Sequence, residues 1–66
     1  MFTKEELQKQ YIETQALRNK VIQELNVTQD KDWRANLFSL DSFYQQGIHV
    51  LEIMFFKLTG ENIWEY

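Results

Sequence analysis

The chain has 66 residues, a net charge of −3, 44% apolar and 15% aromatic residues, one histidine and no cysteine. This length allows one domain with a marginal core. The composition argues against disorder and excludes disulfides and thiolate metal sites, and the acidic balance disfavours non-specific phosphate binding. A small scaffold without staples needs oligomerisation, a partner or dense helix packing.

The first element is well marked. In "FTKEEL", Thr3 is a helix N-cap, Glu6 its capping-box partner, and Phe2 and Leu7 a hydrophobic staple. Glu5 and Glu6 suit the positive end of the helix dipole. The pattern predicts helix 1 over about residues 3–25, with Asn26 as a left-handed C-terminal residue. A turn follows over about 26–31, in which Thr28 or Asp30 caps the next helix. Helix 2 is expected over about 32–59, with Gly60 ending it and a short, partly apolar tail over 60–66. Ser39 is the one place where helix 2 could restart as a second piece. Residues 1–66 form a single domain in this reading.

Apolar periodicity supports two helices. Leu7, Tyr11, Thr14, Arg18, Val21 and Leu25 alternate spacings of four and three in helix 1. Trp33, Leu37, Leu40, Tyr44, Gly47, Leu51, Met54 and Leu58 do the same in helix 2. Two such seams joined by a short turn predict an all-α, antiparallel two-helix hairpin. Val21 then faces Leu40, Arg18 faces Tyr44, and Leu7 faces Met54 and Leu58. Gly47 removes a side chain where Thr14 or Tyr11 approaches, which would let the backbones close up.

Helix 2 carries more apolar surface than one seam needs. At 100° per residue, Phe43 and Val50 widen the seam on one side, Ile48 and Phe55 on the other. Phe38, His49, Ile53 and Phe56 form a second stripe on nearly the opposite side. Helix 1 can cover only the first arc, so Phe38, Ile53 and Phe56, with Phe43 and Val50, are expected in water. Such a patch marks an interaction surface. Three coverings remain open: the tail folding back through Ile63, Trp64 and Tyr66; a second copy, giving a homodimeric four-helix bundle; or another protein.

The residues offer little chemistry. His49 and Glu52 share a face, but in the reverse order of the Glu-x-x-His of di-iron bundles, and helix 1 has no inward carboxylate in its seam. No metal, cofactor or catalytic residue is assigned. Ser39 and Ser42 lack a His and carboxylate set, and there is no glycine-rich phosphate loop, so an enzyme is not expected. Arg18 occupies a seam position, where it either snorkels or fixes register and partner orientation.

"FYQQGIHVL" followed by a tryptophan near the end, carried by Phe43, Tyr44, His49, Leu51 and Trp64, resembles the Hha/YmoA-type nucleoid co-regulators over about a third of the chain. Ile48 and Val50 stand where that family has charged residues beside its histidine, and no residue role is carried over. In length and layout the chain is also similar to the RNA-binding helical hairpins of plasmid copy control. The leading expectation is a non-enzymatic protein–protein interaction module, a regulator or inhibitor of the kind phages and plasmids encode. Its expected interaction surface is Phe38, His49, Ile53, Phe56, Phe43, Val50 and Trp64. The alternative is a nucleic-acid-associated regulator, which needs the helix 1 lysines and Arg18 to merge into one basic stripe across a dimer. No stretch approaches the ~18 apolar residues of a membrane span, and no charged-then-apolar leader opens the chain; the expected location is cytoplasmic.

Overall fold

The computed structural model describes residues 2–65. They form two α-helices packed as an antiparallel hairpin, α1 (Lys4–Val27) and α2 (Lys31–Thr59), followed by a short 3-10 turn, Ile63–Glu65. No strand occurs among the described residues. The hairpin is a rod of 43 × 17 × 16 Å. Its long dimension is that of α2, since 29 residues at about 1.5 Å each span the same distance.

Each helix end has a local cause. Thr3 is extended, and its Oγ1 accepts from the Glu6 N–H at 3.2 Å. Asp30 does the same for α2, accepting from the Trp33 N–H at 3.0 Å. Gly60 closes α2 with φ 74°, a left-handed conformation that favours glycine. Asn26 is not the left-handed residue expected from the sequence. α1 continues through it to Val27, and Thr28 caps it in an extended conformation. The reason lies across the turn. Arg34 Nη1 donates to the carbonyls of Leu25 at 2.6 Å and Thr28 at 3.0 Å, satisfying acceptors that would otherwise call for a left-handed cap. α2 runs unbroken through Ser39.

The core is small. Leu7, Leu51, Phe55 and Ile63 form its main cluster, with Tyr11 and Met54 packed against it. Val21, Leu37 and Ile48 complete the buried apolar set. The tail therefore does fold back, but Ile63, only 3% exposed, enters the hairpin core rather than covering the second stripe. Trp64 stays exposed beside that stripe. Tyr66, which the sequence reading grouped with them, lies outside the described residues.

The inner face of α2 departs from the expected seam. Leu37 and Leu51 are buried, but Trp33, Leu40 and Leu58 are exposed, while Ile48 and Phe55 point inward. The helix is turned by about half a residue's step, some 50°. Two contacts account for this. Phe55, fully buried, packs in this orientation with Ile63 of the tail. Asp41 also comes to the edge of α1, where its Oδ1 accepts from Arg18 Nε at 2.8 Å. Arg18 thus pairs with Asp41.

Gly47 also differs from expectation. A Cβ there would meet only Thr14 Cγ2, at 4.0 Å, an ordinary contact. The hairpin does not require a glycine at this place, although a mid-helix glycine costs about 1 kcal/mol relative to alanine.

Candidate interaction surfaces

With its inner face set by Leu37, Ile48, Leu51 and Phe55, α2 presents large apolar side chains on both flanks. On one flank lie Phe38, His49, Ile53 and Phe56, all exposed, and the tail adds Trp64 at their lower end. His49, Ile53, Phe56 and Trp64 line a shallow cleft of about 250 Å³ with Glu52, Lys57 and Asn62. At the upper end the Arg34 guanidinium sits 5.6 Å from the Phe38 ring centroid. That fixes the ring beside a cation already committed to the α1 carbonyls.

The upper part of the gap on this flank is polar, whereas its lower end, lined by Gln8, Tyr11, Ile12, Gln15, Ile63 and Trp64, is mixed. Arg18 and Asp41 form an ion pair there, and Gln45 Nε2 donates to Asp41 Oδ2 at 3.2 Å. Further down, Tyr11 is held partly out of water, and its phenol is pushed above the usual value. Desolvation is the main cause, the negative charge of Glu52 adds to it, and a hydrogen bond with Gln15 works against it.

The opposite flank is different. Leu40, Phe43, Val50 and Leu58 are exposed, with Phe2 of the N-terminal segment beside them. The gap between the helices is largely apolar along this whole side. It runs from Leu17, Trp33, Leu40 and Tyr44 near the turn, past Thr14, Phe43, Gly47 and Val50, to Met54, Phe2 and Leu58 at the other end. Phe43, 68% exposed, has one ring neighbour among the described residues, Tyr44, at 5.8 Å between centroids.

The seven residues singled out from sequence thus fall on two flanks. Phe38, His49, Ile53, Phe56 and Trp64 come together on the first. Phe43 and Val50 belong to the second, although Val50 and Ile53, three residues apart and both exposed, are neighbours across the outer face of α2. Sequence reasoning missed Trp33, Leu40, Leu58 and Phe2 as surface residues, because the 3-4 spacing placed the first three in the seam and the staple pattern hid the fourth. It also missed Arg34, whose role depends on a turn of only three residues bringing it back over the end of α1.

Comparison with protein-family models, curated proteins and solved structures finds no match.

Among the described residues no three His, Cys, Asp or Glu side chains gather where a metal could bind, and no helix is long and apolar enough to cross a membrane. What both flanks offer is apolar area. Each large side chain gains roughly 1.5–3 kcal/mol when it is taken out of water.

Proposed function

We propose that this protein is a non-enzymatic interaction module of the cytoplasm, a regulator or inhibitor that acts by binding another protein. In this reading it works as a homodimer in which two hairpins form a four-helix bundle. The observation that carries it is the row of exposed Phe38, Ile53 and Phe56 with Trp64. Aromatic side chains at the centre of a patch, with charged and polar groups around them, are what protein interfaces use as anchors. Lys57, Glu52 and Asn62 supply such a rim around the lower end. The marginal core supports the dimer, since seven buried apolar side chains among the described residues leave a chain of this size short of stability on its own.

The nucleic-acid reading gains nothing from the geometry. Arg18, one of the cations a basic stripe would need, is paired with Asp41.

The test compares wild-type protein with Phe56→Asp, each immobilised and exposed to soluble extract of the source cells. Wild-type protein should retain a defined protein that the variant loses, with helicity and oligomeric state unchanged in the variant. The lost protein, purified, should then bind wild-type in isolation. Equal retention by both proteins would remove the stripe from the function.

A further inference from the structure

We infer that the flank centred on Gly47 is the face on which two copies of this chain meet. The α2 helices run antiparallel there, and Phe43 of each copy seats in the hollow over Gly47 of the other. This rests on the self-association proposed above and assigns it a place.

The first ground is the glycine itself. Gly47 lies in the middle of a 29-residue helix in ordinary helical conformation. Its own chain leaves room for a Cβ, the nearest atom being 4.0 Å away. Nothing within the hairpin compensates for a residue that weakens the helix. A side chain missing without a reason inside the subunit leaves a gap on the surface that a second copy can fill. Beside Gly47 is a hollow of about 390 Å³, floored by Thr14 and Gly47 and walled by Val50 and Met54. Phe43, the most exposed aromatic side chain of the described residues, borders this hollow and projects from it into solvent.

The second ground is spacing. Leu40, Phe43, Gly47, Val50 and Met54 follow one another at three, four, three and four residues, the period of a helix–helix seam with knobs and holes. In a parallel pair each residue meets its own counterpart. Phe43 would collide with Phe43, and Gly47 opposite Gly47 would leave a void, which close packing does not tolerate. An antiparallel pair sets Phe43 against Gly47 and Leu40 against Val50, and two-fold symmetry repeats both contacts. The opposite flank lacks such a seam: between Phe38 and His49 its row is occupied by Ser42 and Gln45.

Charge and area agree. The antiparallel arrangement carries Lys57 of one copy to the turn end of the other. There α1 ends without a basic residue in its last turn, and Glu24 and Lys20 both border the apolar gap, so it is the helix dipole that favours a cation. The exposed parts of Phe2, Leu17, Trp33, Leu40, Phe43, Val50 and Leu58 amount to several hundred Å² of apolar surface, which with its polar rim approaches the ~800 Å² per partner of a stable interface. The dimer formed this way leaves the Phe56 flank free.

The experiment mixes isotope-labelled and unlabelled wild-type protein and records isotope-filtered NOEs, which report contacts between copies only. The expected result is intermolecular NOEs from the Phe43 ring to Gly47 Hα and from Leu40 methyls to Val50 methyls. Intermolecular NOEs confined to Phe38, Ile53 and Phe56 would overturn this face while leaving self-association intact. Their complete absence, with a monomeric diffusion rate, would overturn both. As a second measurement, Gly47→Leu fills the hollow and should raise the dimer Kd by about 10- to 100-fold, whereas Phe56→Asp should leave it unchanged. An unaltered Kd in Gly47→Leu would equally overturn the proposal.

Discussion

Ile63→Ala tests how the tail holds the hairpin together. Among the described residues after Gly60, Ile63 is the one that enters the core, where it packs with Leu7, Leu51 and Phe55. The substitution deletes three buried carbons, worth about 0.8 kcal/mol each on transfer from water. A cavity term adds to this, but a short 3-10 turn near the chain end can settle inward, so the low end of the usual 2–5 kcal/mol applies. The expected loss is about 2–3 kcal/mol. For a chain of this size, total stability is on the order of 3–10 kcal/mol, so the loss is a large share of it. Urea unfolding followed by far-ultraviolet circular dichroism gives the value, both proteins being held at one concentration because dimerisation adds to apparent stability. With a slope near 1 kcal/mol per molar urea, the midpoint should fall by about 2–3 M. Trp64→Ala serves as the control. Trp64 is 56% exposed, and its removal should shift the midpoint far less. A change in Ile63→Ala no larger than about 0.5 kcal/mol, the usual scatter of surface substitutions, would refute the claim that the tail is part of the core.

Arg18 and Asp41 should show a coupling of only about 0.5 kcal/mol in a double-mutant cycle, because both side chains remain partly in water; additivity of Arg18→Ala and Asp41→Ala would remove the pair as a register device. Arg34→Ala should cost about 1–2 kcal/mol by leaving the Leu25 and Thr28 carbonyls without their donor. Amide exchange should rise first in the last turn of α1, and uniform exchange along α1 would argue against the cap. Tyr11 makes stability fall at high pH. Its folded-state pKa lies above the usual phenol value near 10. Its contribution is therefore fully present below that value and lost as pH rises through the higher folded value. Tyr11→Phe should remove that part of the alkaline loss, and an unchanged stability-versus-pH curve in the variant would contradict the assignment.

The hairpin was legible because its signals are local. Thr3, Asp30 and Gly60 each act within a few residues of their own position, and the alternation of threes and fours in α2 needs no knowledge of its neighbour. The phase of α2 was not legible for a related reason. Apolar residues occupy so much of its circumference that seams through Gly47 and Met54, or through Ile48 and Phe55, fit the same periodicity. What separates them is a contact with Ile63 in the tail and an ion pair between Arg18 and Asp41, both made with residues outside α2. The exposed stripe of Phe38, Ile53 and Phe56 could be inferred because it lies far enough from either seam to be unaffected by a 50° turn. Phe43 and Val50 stood at the margin, and the turn carried Leu40 and Leu58 out with them. Arg34 gave no signal, since a basic residue in the first turn of a helix is unremarkable until the preceding helix ends against it.

Sedimentation equilibrium of the wild-type protein, from sub-micromolar to tens of micromolar concentration, tests the central claim that α2 holds more apolar surface than one chain can bury. The account predicts a mass rising from 8.1 kDa to twice that value and no further, with helicity increasing over the same range as the hairpin gains its partner. A constant 8.1 kDa with full helicity at every concentration would contradict it.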